Sequence, residues 1–191
     1  MGKSIGDKAN CAVLISGTGT NLYWIIKNSK KKFFPIKVSL VISNKSNALG
    51  LNYARKNKIP IKIFNSLNMK TFEKKSLKEL KKKKIKFICL AGFMKILSKN
   101  FIKKFGHEII NIHPSLLPKY KGLNPHHKVL KNKDKISGCT VHFVSSKMDS
   151  GKIILQKKVK VKNYDTPSSL QRRILKQEHV LYSKAIKTIF F

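Results

Sequence analysis

Residues 11–22 read CAVLISGTGTNL, and this stretch decides the fold class. Cys11 to Ser16 is an apolar run of strand length, apolar on both alternating faces, as a strand covered from two sides must be. Gly17-Thr18-Gly19 is a turn, and an amphipathic stretch from about Asn21 to Ser29 follows it. Strand, glycine turn, helix is the opening of a βαβ unit. The pattern repeats outward from there. Residues 36–43 (IKVSLVIS) form a second strand, and a helix covers about 47–57. A short strand at 60–64 precedes a helix near 70–84 with Leu77 and Leu80 inward. Residues 86–91 (KFICLA), a helix near 98–105 and residues 108–112 (EIINI) continue the alternation. An irregular stretch with Pro114, Pro118 and Pro125 leads to a short helix near 126–132. Strands near 139–145 and 152–161 and a helix near 167–189 complete the chain. Such alternation predicts an α/β fold, an open and mostly parallel twisted sheet with helices on both faces. The last two strands have no helix between them, which predicts antiparallel strands near the C-terminal part.

The length of 191 residues suits a single domain spanning 1–191, with residues 1–10 as a basic N-terminal tail. The longest apolar run, Phe87 to Met94, is too short to span a bilayer, and the first ten residues lack the apolar core of a secretory signal. Cys11, Cys89 and Cys139 show no CxxC spacing and sit in apolar runs, as reduced thiols of a cytoplasmic protein do. Lys+Arg is 42 against 8 acids, a net charge of +34 that invites a nucleic-acid reading. Arginine occurs only at Arg55, Arg172 and Arg173, so 39 of the cations are lysines spread over every segment. Specific readers favour the arginine fork. No specific nucleic-acid partner and no membrane partner is expected.

In an open α/β sheet, ligands bind beyond the carboxyl ends of the strands. After the first strand, the loop 17–21 can hold a small phosphate on free helix N–H groups, or be a plain strand–helix turn. Leu22 stands where a dinucleotide fingerprint needs a third glycine, and no P-loop lysine is present. After the fifth strand, Asn111 and His113 share one face. An amide and an imidazole there can serve an oxyanion; equally, they can cap a strand end and fill a partly buried site. Among the eight acids, Glu73 and Glu79 fall on a lysine-rich helix face open to solvent. Asp7 is in the tail, Asp134 in a polar turn, and Asp165 is a helix-cap residue. Asp149, in Met148-Asp149-Ser150-Gly151 just after an apolar strand, can pair with His113. Glu178 lies beside His179 in the last helix, as a functional acid or a surface ion pair. No Cys/His cluster suggests a metal.

The segments SGTGTN, SNK, LAGFMKILS, NIHPSLLPKYKGL, TVHFV, MDSG, ILQ and QEH, in this order over about residues 11–185, resemble the phosphoribosylglycinamide formyltransferases. NIHPSLLP alone resembles the wider formyltransferase family, whose fold is Rossmann-like. Its methionyl-tRNA members carry a second domain and its deformylases an N-terminal regulatory one, for neither of which 191 residues leave room. The resemblance implies formyl transfer from 10-formyltetrahydrofolate to the amine of N1-(5-phospho-D-ribosyl)glycinamide, giving the N-formyl product and tetrahydrofolate in purine synthesis. It implies small-molecule substrates, no metal, a cytoplasmic location and a monomer or weak homodimer. Asn111, His113 and Asp149 fall on the family's catalytic trio. Gly19, Thr20 and Asn21 fall on the loop for the ribonucleotide phosphate, and Glu178 on an acid binding that substrate. Met94, Lys95, Ile96 and Leu97 fall on the segment that contacts the folate pterin, partly through backbone groups, with loop 145–149 opposite and Asn111 and Asp149 between. Thr140 and His142 fall on supporting positions. The chain departs from the family at Lys95, where arginine is usual, and at Met69 with Lys70, near an arginine facing the folate tail. Lys121 stands for a proline and Asn124 for a histidine, and the chain ends at Phe191, short of typical bacterial members.

Overall fold

The computed structural model describes residues 8–65 and 68–191. Seven strands form one sheet: β1 (Ala9–Ile15), β2 (Ile36–Ser43), β3 (Ile61–Ile63), β4 (Phe87–Leu90), β5 (Glu108–His113), β6 (Ile136–Phe143) and β7 (Ile153–Lys160). Six helices accompany them: α1 (Thr20–Ser29), α2 (Leu51–Lys56), α3 (Met69–Lys82), α4 (Lys99–Phe105), α5 (Pro125–Lys131) and α6 (Pro167–Phe190). The strand order is β3-β2-β1-β4-β5-β6-β7. The first five strands pair in parallel, and β6 and β7 pair antiparallel as expected. None of the described helices is long and apolar enough to cross a membrane.

Alternation along β1 explains the two cores. Cys11, Val13 and Ile15 pack with Leu22, Ile25 and Tyr182 on the α1/α6 side. Ala12 and Leu14 pack with Phe72, Leu80 and Phe101 on the α3/α4 side. Covering both faces is what makes the inner strands apolar throughout. The Tyr182 hydroxyl donates to the carbonyls of Leu90 and Ile110, tying α6 to two central strands.

β1 begins at Ala9, so residues 9 and 10 belong to the sheet and not to a tail; Asp7 and the first residues lie outside the described ones. Asp165 is not the cap of α6. Thr166 is, in a reciprocal pair with Ser169, while the Asp165 carboxylate takes Ser169 Oγ, the Lys162 N–H and the Arg173 guanidinium. Glu73 is buried rather than solvated: its two oxygens accept the N–H and the Oγ–H of Ser98, both at 2.7 Å. Glu79 is mostly covered and pairs with Lys62 at 3.4 Å. A helix face that looks polar in sequence is buried here because α4 packs against α3.

The order of strands sets the functional end. The chain steps outward from β1 to β3 in one direction, then returns to start β4 on the other side of β1. Loops leaving β1 and β4 therefore diverge and open a crevice at their carboxyl ends. The Ser16 N–H donates to Gly92 O at 3.1 Å, marking the point where they part.

Candidate active site

Asn111 and His113 end β5, and the antiparallel neighbour β6 sets His142 opposite Asn111 and Thr140 opposite His113. Four polar side chains thus meet on one patch of sheet. The turn after β6 brings in Asp149, which adopts a left-handed backbone (φ 46°). Its Oδ2 lies 3.3 Å from His113 Nδ1 and accepts the Gly122 N–H at 2.9 Å. Its Oδ1 lies 3.6 Å from His142 Nε2, an electrostatic neighbour beyond hydrogen-bond range. Burial alone would raise the Asp149 carboxyl. With the rings of His142 and His113 carrying charge, those two and the Gly122 N–H outweigh it and hold the group at about 2.

His142 Nδ1 faces the Phe143 carbonyl at 2.8 Å, so the proton of a neutral ring belongs on Nδ1. Its bare Nε2 then faces Asn111 Nδ2 at 3.3 Å, which fixes the Asn111 amide and leaves a second N–H for the crevice. His113 differs. Nε2 lies 2.9 Å from the Tyr120 carbonyl and Nδ1 faces Asp149, so both nitrogens point at acceptors. Burial pushes its pKa below the ordinary histidine value, against the pull of Tyr120 O and Asp149.

Thr140 works one step back. Its Oγ1 donates to Ser115 O and accepts from the Leu117 N–H and from Gln156 Nε2. Gln156 also donates to Leu117 O at 2.8 Å. Together they brace the loop that carries Tyr120 and Gly122 to the trio.

Asn111, His113, His142 and Asp149 line a cavity of about 540 Å³. One wall is the segment 94–97. Leu97 is buried in the core, whereas Met94 and Ile96 are exposed at 60% and 57% and face a would-be ligand. The Met94 N–H is already taken by Ser16 Oγ at 2.9 Å, so that amide is not free for a ligand. The opposite wall includes Ser145, Lys147 and Met148. Met69 and Lys70 do not line the cavity.

The 17–21 loop lies at the end of β1. Gly19 takes φ 72°, and a Cβ there would stand 2.4 Å from the Gly50 Cα, so only glycine fits. No side chain caps α1, which leaves its first N–H groups to a ligand or water. Asn21 Nδ2 donates to Glu178 Oε2 at 2.7 Å. Glu178 is buried, not part of a surface ion pair, and burial raises its pKa against the pull of Asn21. Neither this loop nor Glu178 lines the cavity, but Gln171 does, and Glu178 lies seven residues on. That is about two turns, roughly 10 Å along one face of α6.

The model of the family described as formyl transferase matches residues 9–186, nearly the whole chain. The chain belongs to the formyl transferase family. Phosphoribosylglycinamide formyltransferase of Haemophilus influenzae is 41% identical over 92% of this chain and 84% of its own. The trifunctional purine biosynthetic protein adenosine-3 of Homo sapiens is 40% identical over 95% of this chain. This chain spans only 18% of that relative's length. Among solved structures, glycinamide ribonucleotide transformylase 1 of Symbiobacterium toebii superposes with a TM-score of 0.90 at 38% identity, covering 95% of this chain and 87% of that one. Phosphoribosylglycinamide formyltransferase of Brucella melitensis superposes with a TM-score of 0.91 at 36% identity, covering 96% of each chain.

In this formyl transferase, the structure brings Asn111, His113, Asp149, His142 and the 94–97 wall to one cavity. It sets Gly19, Thr20, Asn21 and Glu178 together beside it. Gln156, Ser16, Gly122 and the Tyr120 carbonyl escaped the sequence reading. Gln156 sits in the ILQ segment that carries the family likeness, which was its one available signal. The roles of Gly122 and Tyr120 are main-chain, and no residue type announces those. Among the described residues, no three His, Cys, Asp or Glu side chains are arranged to hold a metal ion.

Three covered histidines of this family member each contribute a loss of stability in acid. Burial lowers His113 and His179, and takes His126 down to about 4. Below the unfolded value near 6.5 the unfolded chain binds protons the folded one refuses, so stability is lost as pH falls through that value. For His126 the loss at pH 5 is on the order of 1 kcal/mol. Asp149 acts lower: its contribution is intact above about 4 and fades as pH falls toward 2. Glu178, raised by burial, pulls the other way, so the check is the change in urea-unfolding stability from pH 7.5 to pH 5.0 in wild type against His126→Gln, and equal changes would contradict the histidine share.

Proposed function

We propose that this chain transfers a formyl group from 10-formyltetrahydrofolate to the amine of N1-(5-phospho-D-ribosyl)glycinamide, yielding the N-formyl product and tetrahydrofolate in purine synthesis. What carries the reading is the paired layout: an amide–imidazole–carboxylate trio in a cavity, with a glycine loop and a buried acid along one face of α6. The high identity to phosphoribosylglycinamide formyltransferase over nearly the full chain supports it.

Each part has a task. The exposed side chains of Met94 and Ile96, with Met148 opposite, sandwich the flat pterin, and Lys95 and Lys147 meet its anionic tail. The free N–H groups at Gly19, Thr20 and Asn21 hold the ribonucleotide phosphate. Glu178, oriented by Asn21, accepts hydrogen bonds from that substrate. The amine attacks the formyl carbon directly, so no enzyme nucleophile is used; the three cysteines are all buried. Negative charge develops on the formyl oxygen, and the spare N–H of Asn111 is the donor aimed to receive it. As the oxyanion forms beside His113, a positive charge on its ring, paired with Asp149, becomes more favourable, so its help grows in the transition state. Asp149 keeps the negative charge that permits this. A carboxylate held near 2 is a weak base, so its part in moving the proton from amine to departing folate nitrogen runs through ordered water.

The deciding experiment is a steady-state assay with and without the glycinamide ribonucleotide. Product only in its presence fits transfer; tetrahydrofolate release without it would mark a deformylase using water. The Glu178→Ala variant is expected to raise KM for the ribonucleotide about tenfold, the loss of one charged hydrogen bond, and to leave the folate KM near wild type. The reverse split would move Glu178 to the folate site.

A further inference from the structure

We propose that Ser16 and Glu73 are positioning residues: they clamp the two ends of the 94–97 wall and thereby set the affinity for the formyl donor. The proposal rests on the reading above that this wall holds the folate. The wall lies between the end of β4 and the start of α4 and has no regular secondary structure. Among the described residues, its main chain makes no hydrogen bond to another main-chain group. Yet Met94 and Ile96 stand exposed on it. An irregular, partly apolar segment facing water keeps one shape only if it is fixed from behind.

Three contacts do that. Leu97 is buried in the α3/α4 core. At the leading end, the Met94 N–H donates to Ser16 Oγ, and that hydroxyl donates in turn to Asn44 Oδ1 at 2.7 Å. At the trailing end, Ser98 gives both its N–H and its Oγ–H to the two oxygens of Glu73. Ser16 and Glu73 are 4% and 6% exposed, and neither lines the cavity. Glu73 is one of only eight acids in the chain, and Ser98 takes both of its oxygens. Ser16 is also the last residue before the phosphate loop, and its own N–H is bonded to Gly92 O. The leading clamp therefore joins the folate wall to the ribonucleotide loop.

Charge-assisted hydrogen bonds of this kind are among the stronger ones, and their loss leaves the partner amide unsatisfied. Glu73→Ala is expected to raise the KM for 10-formyltetrahydrofolate about tenfold. The KM for the glycinamide ribonucleotide should stay within about twofold. Glu73→Gln keeps an acceptor for the Ser98 N–H and a donor for its Oγ, so it should recover most of that loss. Ser16→Ala removes a single hydroxyl, keeps the core filled, and should raise the folate KM several-fold; it reads the proposal even where Glu73→Ala fails to fold. Ile96→Asp, on the exposed side of the wall, tests the underlying reading separately. A wild-type folate KM in Ile96→Asp would overturn the folate assignment and the clamp with it. A raised folate KM in Ile96→Asp beside an unchanged one in Ser16→Ala, with Glu73→Ala moving both KM values equally, would overturn the clamp alone.

Discussion

Asp149→Asn is expected to lower kcat by about 10²–10⁴-fold, the range for loss of a positioned proton-transfer group. Its KM values should stay close to wild type. The substitution is a clean one because the fold tolerates it. Asp149 sits at φ 46°, a left-handed conformation that asparagine also adopts readily. The amide oxygen can still accept the Gly122 N–H that now goes to Oδ2. What disappears is the negative charge 3.3 Å from His113 Nδ1. Without it, His113 has no partner for a ring charge when the oxyanion forms, and the bound water loses its anionic anchor. Because the interaction grows in the transition state, the effect falls on kcat and not on KM. Single-turnover rates with an unchanged melting temperature would check this. A folded Asp149→Asn with near wild-type turnover would remove the charge from the mechanism.

Asn111→Ala is expected to cost about 10²–10³-fold in kcat, the usual effect of removing one oxyanion donor. His113→Ala should cost a similar factor, but for a different reason. Asn111 Nδ2 is aimed by the bare Nε2 of His142, and its second N–H is unclaimed. It is therefore expected to act by direct donation. His113 has both nitrogens facing protein acceptors, the Tyr120 carbonyl and Asp149, and is expected to act through charge. The two can be separated. Combining His113→Ala with Asp149→Asn should cost scarcely more than either alone, since each removes the same charge pair. Combining Asn111→Ala with Asp149→Asn should cost markedly more than either. Full additivity in the first pair, measured as kcat, would show that the histidine and the carboxylate work independently.

The likeness to phosphoribosylglycinamide formyltransferases was legible in short segments, because NIHPSLLP and MDSG keep their chemistry in consecutive residues. The strands were legible for a related reason. Periodicity is a local property, and β2 begins and ends where the apolar alternation does, at Ile36 and Ser43. Asn111 and His113 could be set on one face by counting alone, since two residues of a strand always share a side. Burial of single charged groups could not be read this way. Glu73 looked solvated among lysines, yet Ser98, 25 residues away, takes both of its oxygens. Glu178 could be read as a functional acid or as half of a surface pair, and only Asn21, 157 residues away, shows it held under cover. The state of His113 was likewise out of reach. Its residue type and position suited an oxyanion site, but its proton balance depends on the desolvation of a closed site, on a main-chain carbonyl at Tyr120 and on Asp149. Sequence alone determined which residue types stand at the strand ends and which faces are apolar, because those follow from the repeat of the backbone. Only the tertiary structure decided which charges are buried, which protons are held and which loops are pinned, because each depends on the dielectric and the partners that distant segments supply.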